Sequence, residues 1–253
     1  MITYPTPKIN IGLHVVEKMS NGYHSLETVF YPINNQHDIL EIFPTANSLS
    51  LQVFPVGSLS NEIENNLCVK AYRLWEKRYN LPPVEIKLTK NIPTSAGLGG
   101  GSSDAAFTLK MLNQLFQLQL SVEQLKADAA LLGSDVPFFI ENQPAYAYGK
   151  GDILEPIALD LSPYHIQLYH SNIHVSTAEA YQWIKPQQPL HPLKETIKLP
   201  VSEWKNLIVN DFEEIIFKRY PELQVKKTAL YDQGAVYVSM SGSGASIYAI
   251  FKN

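Results

Sequence analysis

Apolar and polar residues alternate along the first third of the chain, in short runs separated by turn residues. The clearest runs cover residues 9–15, 28–31, 38–42, 49–53 and 84–88, and they are rich in β-branched and aromatic residues. A period of two is typical of strands that bury one face. We therefore predict a β-rich N-terminal region in which the sheet is antiparallel.

A helical period replaces this alternation at three places in the first 140 residues. Apolar spacing predicts one helix from about 66 to 79, a second through 105–116 and a third over 121–132. Ser121 opens the third helix with a capping-box pattern, and Gly133 predicts a left-handed stop at its end. Helices therefore follow the strands instead of alternating with them.

The last hundred residues have their own order of elements. The turn-rich stretch 148–152 is the predicted boundary between a domain of residues 1–152 and a domain of residues 153–253. Beyond it we expect a strand at 164–170, a helix capped by Ser176, helices starting near Asp211 and at Pro221, and strands at 235–240 and 246–251. Helices over an antiparallel sheet indicate an α+β fold.

Composition and charge narrow the class of protein. The chain has 253 residues, 45% of them apolar and 17% charged, which is typical of a folded globular protein. Its net charge of -4 gives no broad basic surface, so we expect no nucleic-acid partner. No run reaches a membrane span and no leader pattern opens the chain, so we expect a cytoplasmic protein without membrane contact. Cys68 is the one cysteine, and we expect it to be buried.

Residues 91–107 (NIPTSAGLGGGSSDAAF) form a glycine-rich junction between a predicted strand and a predicted helix. Glycines at 97 and 99–101 let the backbone approach an anion without a Cβ in the way, and Ser102 and Ser103 lie at the helix start. A helix start presents unpaired N–H groups. The junction therefore predicts a phosphate-binding loop, the alternative being a plain glycine turn.

Two common phosphate motifs do not fit this loop. A Walker motif requires Gly-Lys-Ser/Thr at the helix start, where this chain has Gly101-Ser102-Ser103. A dinucleotide fingerprint opens a parallel βαβ unit, whereas this loop follows a strand of a predicted antiparallel sheet. Positive charge must therefore come from elsewhere, and Lys8 and a metal ion carried by the nucleotide are the candidates.

Asp135 is the second informative position. It follows the predicted third helix in the segment Gly133-Ser134-Asp135-Val136-Pro137. The C-terminal end of a helix carries partial negative charge, so a carboxylate there is unfavourable unless it has a role. That role is either capping the helix or taking part in function.

These segments together resemble the GHMP kinase superfamily, which includes galactokinase, homoserine kinase and mevalonate kinase. Within the superfamily the chain is similar to the branch that phosphorylates a cytidylated methylerythritol in non-mevalonate isoprenoid synthesis. The matching segments follow the same order as in the family and span 7–245. They are residues 7–11 (PKINI), 22–28 (GYHSLET), 93–106 (PTSAGLGGGSSDAA), 132–139 (LGSDVPFF), 175–177 (VST) and 241–245 (SGSGA).

The resemblance implies a fold, a reaction and two cofactors. It implies a ribosomal-S5-like N-terminal domain that binds ATP and a ferredoxin-like C-terminal domain, with the site between them. The implied enzyme is an ATP-dependent small-molecule kinase that phosphorylates the 2-hydroxyl of the methylerythritol moiety, with Mg²⁺ bound to ATP. No metal-binding residue is assigned, although Ser103 is a candidate beside the ATP oxygens. We expect a monomer or a weak homodimer.

Residue roles follow from the same resemblance. Asp135 matches the catalytic aspartate of the family and Lys8 the lysine paired with it, while Asn10 can bind the methylerythritol end. Tyr23 can stack on the cytosine ring, His24 can bind its edge, Tyr181 matches the opposite stacking face, and Thr177 either contacts the ligand or helps to cap its helix. The implied ATP-binding residues are Asn66, Pro93, Thr94, Ser95, Ala96, Gly97, Leu98, Gly99, Gly100, Gly101, Ser102 and Ser103.

Three alternatives stay open at the level of sequence. The chain could be another GHMP-type kinase acting on mevalonate or homoserine, a non-catalytic nucleotide-binding homologue, or a dinucleotide-binding oxidoreductase. The pair Tyr23-His24 argues against the first, and the presence of both Lys8 and Asp135 argues against the second. The loop also departs from the family's common Pro-x-Gly/Ala-Gly form at Ser95 and Ala96, which we expect to shift one backbone contact.

Overall fold

A computed structural model describes residues 1–20, 22–55 and 63–253. None of the helices in this part of the chain has the length and apolar character needed to cross a membrane. The strands are β1 Ile2–Thr3, β2 Lys8–Lys18, β3 His24–Pro32, β4 Ile39–Pro44, β5 Ser50–Phe54, β6 Val84–Thr89, β7 Ala145–Tyr148, β8 Ile153–Pro156, β9 Tyr164–Tyr169, β10 Tyr237–Met240 and β11 Ile247–Lys252. The α-helices are α1 Leu67–Glu76, α2 Gly100–Leu115, α3 Val122–Ala130, α4 Phe138–Glu141, α5 Thr177–Trp183, α6 Leu193–Thr196, α7 Phe212–Arg219 and α8 Pro221–Asp232.

The chain divides into two compact units, neither of which is continuous in sequence. Unit 1 comprises Met1–Pro7, Ile33–Thr94 and Gly99–Gln143, and unit 2 the remaining described residues. Unit 1 contains the sheet β1-β4-β6-β5 and helices α1 to α4. Its core includes Tyr72 and Trp75 of α1, and Trp75 Nε1 donates to the Asp128 carboxylate of α3 at 2.8 Å.

The sheet of unit 1 corrects the prediction of a purely antiparallel arrangement. Strands β1, β4 and β6 pair antiparallel, but β5 pairs parallel to β6. Helix α1 lies between β5 and β6 in the chain, and a helical crossover of this kind returns the chain in the same direction. Alternation predicts the existence of these strands, whereas their relative direction depends on the connection.

The ends of the predicted helices are mostly where the sequence places them. Asn66 caps α1, and Ser121 and Gln124 form both hydrogen bonds of the capping box on α3. The predicted left-handed stop at Gly133 is wrong, because Gly133 is not among the positive-φ residues. Helix α3 instead ends through a tight bond from Leu131 N–H to Asp128 O at 3.2 Å, which satisfies a terminal carbonyl without glycine.

Unit 2 contains two antiparallel sheets, β2-β3-β7-β8 and β10-β11-β9. Helices α5 to α8 belong to this unit, and a core cluster of β2, α5, α7, α8, β10 and β11 residues includes Val15, Phe212 and Ile247. The predicted strands and helices of the last hundred residues are confirmed with ends shifted by one or two positions.

Strands β7 and β8 are among the elements that the sequence pattern missed. They pair antiparallel across residues 149–152, so the turn at which we placed the domain boundary is a hairpin within one sheet. A cut at 152 would divide that hairpin. The assignment of 1–152 and 153–253 to two functional domains stays a prediction.

Candidate active site

Lys8 is a buried lysine at the start of β2. Its residue exposure is 4%, and its ammonium donates to Asn10 Oδ1 and, at 3.2 Å, to the carbonyl oxygen of Gly97. The same ammonium lies 4.9 Å from the centre of the Phe30 ring. A lysine is rarely this buried unless its hydrogen-bond donors are used. The side chain is therefore fixed beside the first glycine of the loop.

Ser241 connects this lysine to the second glycine turn of the chain, residues 241–244. Its hydroxyl donates to Gly97 O at 2.8 Å and accepts from Asn10 N at 3.1 Å, while Lys8 N donates to Leu98 O at 3.0 Å. We call Lys8, Asn10, Gly97 and Ser241 the lysine cluster. Its members hold one another by main-chain and side-chain bonds, so little rearrangement is available to them.

Gly97 is the position of closest approach in this cluster. Its φ is +77°, and a Cβ there would lie 2.0 Å from the carbonyl oxygen of Ser241. No side chain fits that space, so glycine is required for both backbone conformation and packing. Ser95 also adopts a positive φ, +54°, where glycine would be less strained.

The start of α2 presents backbone donors, as the sequence predicts. Gly99 precedes the helix with φ +68° and makes no side-chain cap, and the first helical bond of this turn runs from Ser103 N to Gly99 O at 2.8 Å. The first N–H groups of a helix have no partner within it. The Ser103 hydroxyl is buried and has no hydrogen-bond partner within the described part of the chain. This end of the helix therefore has the donors that a phosphate group needs.

Helix α1 begins close to this loop within unit 1. Asn66 caps α1 by accepting from Cys68 N at 2.8 Å, and Leu67 Cδ1 lies 3.7 Å from where a Cβ on Gly101 would be. Asn66 thus lies beside the glycine loop, and the family resemblance implies that it binds ATP.

Asp135 lies in the turn between α3 and α4. It is half-buried, and Ser134 Oγ lies 3.5 Å from one of its carboxylate oxygens. Asp135 belongs to unit 1 and Lys8 to unit 2, and their pairing stays a prediction.

Aromatic side chains of unit 2 form a second cluster. The His24 and Tyr181 rings stack with centroids 5.2 Å apart, and Tyr181 meets Phe212 edge-on at 5.0 Å. We call these three residues the aromatic cluster. Burial, with the nearby charge of Lys18, lowers the pKa of His24, which favours the neutral ring. A neutral imidazole offers one donor and one acceptor, as base recognition requires.

The remaining predicted substrate residues lie in unit 2 as well. Tyr23 is 61% exposed, and the Lys150 ammonium lies 5.3 Å from its ring centre. Ser176, not Thr177, caps α5 by accepting from Glu179 N, and Thr177 Oγ1 instead lies 3.0 Å from Ser243 Oγ. Thr177 therefore contacts the second glycine turn.

Sequence reasoning missed a buried ionic cluster in unit 1. Lys90 binds the carboxylates of Asp38 and Asp104, the latter at 2.7 Å, and its ammonium lies 3.4 Å from where a Cβ on Gly100 would be. Burial, together with the charge of Asp38, raises the pKa of Asp104 to about 7, while Lys90 acts in the opposite direction. The signal was a lysine at the end of β6 and an aspartate within the first turns of α2, which spacing alone does not connect. The described residues include no group of three His, Cys, Asp or Glu side chains able to hold a metal ion.

Comparison with known proteins agrees with this geometry. Residues 66–149 match the family model described as GHMP kinases N terminal domain, and residues 195–253 match GHMP kinases C terminal. A 4-diphosphocytidyl-2-C-methyl-D-erythritol kinase of Azobacteroides pseudotrichonymphae is 51% identical, with 100% of this chain and 94% of that protein covered. The protein of the same name from Cytophaga hutchinsonii is 44% identical, with 99% and 92% covered.

Solved structures extend the likeness to three dimensions. The crystal structure of a 4-(cytidine 5'-diphospho)-2C-methyl-D-erythritol kinase has a TM-score of 0.84 at 31% identity, covering 99% of this chain and 90% of that one. The mevalonate kinase of Methanococcus jannaschii has a TM-score of 0.72 at 16% identity, covering 100% and 90%. At that identity the second likeness shows the fold alone. The predicted α+β, two-domain architecture of these kinases is thereby confirmed.

Proposed function

Because this chain belongs to the GHMP kinases and, within them, to the 4-diphosphocytidyl-2-C-methyl-D-erythritol kinases, we propose that it phosphorylates the 2-hydroxyl of 4-diphosphocytidyl-2-C-methyl-D-erythritol. It is an ATP-dependent small-molecule kinase. In the proposed reaction the acceptor oxygen forms a bond to the γ-phosphorus, the bond from that phosphorus to the bridging oxygen breaks, and ADP leaves.

Backbone donors and one buried lysine hold the phosphates in this proposal. The N–H groups at the start of α2 bind phosphate oxygens, with Gly97, Leu98 and Gly99 shaping the loop. Lys8, held against Gly97 O, supplies the positive charge that a Walker lysine supplies elsewhere. Charge placed in advance where it develops in the transition state is the main way in which a kinase lowers the barrier.

Asp135 is the proposed base. Its carboxylate accepts the proton of the acceptor hydroxyl as the new P–O bond forms, and Lys8 is the lysine that the family resemblance pairs with it. Its half-buried position in the turn before α4 leaves part of the side chain accessible to an acceptor.

The acceptor lies along β2 and the aromatic cluster in this proposal. Asn10 binds the methylerythritol end, beside Lys8. Tyr23 stacks on the cytosine ring, His24 binds its edge, and Tyr181 supplies the opposite face, a role supported by its stacking against His24. Thr177, placed on Ser243 of the second glycine turn, completes the acceptor side.

The nucleotide side of this proposal consists of Asn66 and the glycine loop. The ATP base lies near Asn66, and the loop residues Pro93, Thr94, Ser95, Ala96, Gly100, Gly101 and Ser102 surround the phosphates. Mg²⁺ fits here chiefly through ATP oxygens, with the unpartnered Ser103 hydroxyl as its protein contact. When bound, the ion would neutralise charge on the transferring phosphoryl group. A cytoplasmic location and a monomer or weak homodimer stay predictions.

The observation that carries the proposal is the buried Lys8 ammonium on Gly97 O, because a plain glycine turn does not need it. The test is a coupled ADP-release assay with the cytidylated methylerythritol, mevalonate, homoserine and galactose as acceptors. We expect ADP release with the cytidylated acceptor at least 100-fold faster, as roughly 10² in kcat/KM is a modest discrimination for an enzyme that binds a base. A preference for mevalonate or homoserine, or no release with any acceptor, would overturn it.

A further inference from the structure

Three consecutive residues of unit 2, Asn210, Asp211 and Phe212, each contact a different part of the proposed acceptor site. Asn210 and Asp211 lie between the 3₁₀ turn at Val201–Asn206 and helix α7, and Phe212 is the first residue of α7. Asn210 is 2% exposed and Phe212 1% exposed. None of them belongs to the segments that suggested the family.

Asn210 binds the second glycine turn. Its Nδ2 donates to Met240 O and to Gly242 O, both at 2.8 Å. A Cβ on Gly242 would lie 3.4 Å from Asn10 Oδ1 and 3.3 Å from Gly97 Cα, so this turn packs directly on the lysine cluster. Asn210 therefore fixes the turn that bounds Lys8 and Asn10.

Asp211 ties the segment to β2, the strand that carries Lys8. Its backbone N donates to Leu13 O at 2.8 Å, and Leu13 N donates to Val209 O at 3.0 Å. Its carboxylate accepts from Val15 N at 2.8 Å and lies 3.1 Å from His14 Nδ1. The start of α7 is thus attached to β2 by both main chain and side chain.

Phe212 supports the aromatic cluster. Its ring meets Tyr181 edge-on at 5.0 Å, and Tyr181 in turn stacks on His24. Edge-on aromatic pairs stabilise beyond the area that they bury. Phe212 therefore helps to hold the Tyr181 ring that stacks on His24.

We propose that residues 210–212 are positioning residues for both ends of the acceptor site, Asn210 through the glycine turn at the reacting end and Phe212 through Tyr181 at the cytidine end. The proposal rests on the proposed function and deepens it. It assigns to one short segment the positioning of both the group that reacts and the group that is recognised.

A role limited to capping α7 is the main alternative, because Asn210 Oδ1 also accepts from Phe212 N at 3.0 Å. Asn210→Asp separates the two roles. The aspartate keeps an oxygen for Phe212 N, but it replaces the donor to two carbonyl oxygens by a carboxylate oxygen. The cap is retained while the glycine turn is released.

The experiment measures kcat with the cytidylated acceptor, and CDP binding by calorimetry, for Asn210→Asp and Phe212→Leu. We expect Asn210→Asp to lower kcat by about 10- to 100-fold with CDP affinity within about twofold, since small displacements of reacting groups have large effects on rate. We expect Phe212→Leu to weaken CDP binding by about 3- to 10-fold with kcat reduced by less than about threefold.

Two matched controls carry the same substitutions elsewhere. Asn113→Asp disrupts a side chain that also bonds two backbone groups, the N and O of Leu120. Phe217→Leu alters another core ring of α7. Unmodified protein that releases no ADP with the cytidylated acceptor overturns the proposed function. If the unmodified protein is active, two results would overturn the present inference. One is that Asn210→Asp behaves like Asn113→Asp. The other is that the Asn210 and Phe212 variants change kcat and CDP affinity in the same proportion.

Discussion

Two buried lysines lie beside the glycine loop, one in each unit, and they differ in the groups that they bind. Lys90 binds two carboxylates, Asp38 and Asp104, beneath Gly100. Lys8 donates to the amide oxygen of Asn10 and to the carbonyl oxygen of Gly97. Both lysines are almost fully buried, so burial alone does not separate them.

This difference indicates which lysine supplies positive charge to a phosphate bound at the loop. The Lys90 ammonium is matched by carboxylates within the fold, and such a cluster stabilises the junction between β6 and α2. The Lys8 ammonium is held against Gly97 of the phosphate-binding loop, where a positive charge can act on the transferring phosphoryl group. The lysine nearest to the loop in sequence is therefore a structural one, and the distant lysine is the one that we assign to the reaction.

Removal of Lys90 gives the largest expected effect, and it falls on stability. Lys90→Met leaves two buried carboxylates without their cation, and breaking a buried ion pair costs about 3–5 kcal/mol. Urea unfolding should show a loss of that size. Lys87→Met, an exchange of a half-exposed lysine on β6, is the matched control. A Lys90 variant as stable as the Lys87 variant would remove the distinction between the two buried lysines.

Removal of Lys8 should act on turnover. Lys8→Ala should lower kcat by roughly 10²–10³ while ATP still binds, because a charge that acts in the transition state is lost. Calorimetry with ATP and steady-state ADP release measure the two quantities, and Lys87→Ala is the control. Turnover within threefold of the unmodified protein would contradict the assignment.

Asp104 should make stability depend on pH. Burial raises its pKa to about 7 in the folded chain from an ordinary value of 3.8, so the folded chain binds a proton that the unfolded chain has released. The stability contributed by this group is present below about pH 4 and is lost as pH rises towards 7, by up to about 1.4 kcal/mol per pH unit. Unfolding of Asp104→Asn against unmodified protein from pH 4.5 to 7.5 should show the difference shifting in favour of the variant. A difference in stability that does not change with pH would contradict the raised pKa of Asp104.

The smallest effect is expected from a change at Tyr23. It should alter neither the stability assigned to Lys90 nor the turnover assigned to Lys8. Tyr23→Ala removes an exposed ring proposed to stack on cytosine, a contact of about 1–3 kcal/mol in base recognition. We expect KM for the cytidylated acceptor to rise about tenfold with ATP affinity unchanged. Tyr4→Ala, which removes another exposed ring, is the control. Equal KM in the two variants would remove the stacking role.

Much of the fold follows from local pattern. The alternating runs and the capping residues Ser121 and Ser176 lie where the sequence places them, because both signals depend on near neighbours in the chain. Strands β7 and β8 were missed because each is only four residues long. The parallel pairing of β5 with β6 depends on the path of the chain between them, which alternation does not encode.

The features of the site also fall into local ones, which the sequence shows, and contacts between distant positions, which it does not. The glycine loop and its position at a helix start are local features, and the sequence shows them. The contact of Lys8 with Gly97 and the bonds of Asn210 with Met240 and Gly242 join positions far apart in the chain. The sequence offered Lys8 as a candidate charge for the loop, but these particular contacts come only from the structure.

The pairing of Lys8 with Asp135 is the central claim, and a double-mutant cycle tests it most directly. The kcat values of Lys8→Ala, Asp135→Ala and the double variant would be measured at saturating ATP and cytidylated acceptor, with ATP binding confirmed for each. Groups that act as a unit are strongly non-additive, so we predict that the double variant is no slower than the slower single variant by more than about threefold. Losses that multiply, or an Asp135 variant as active as the unmodified protein, would contradict the account.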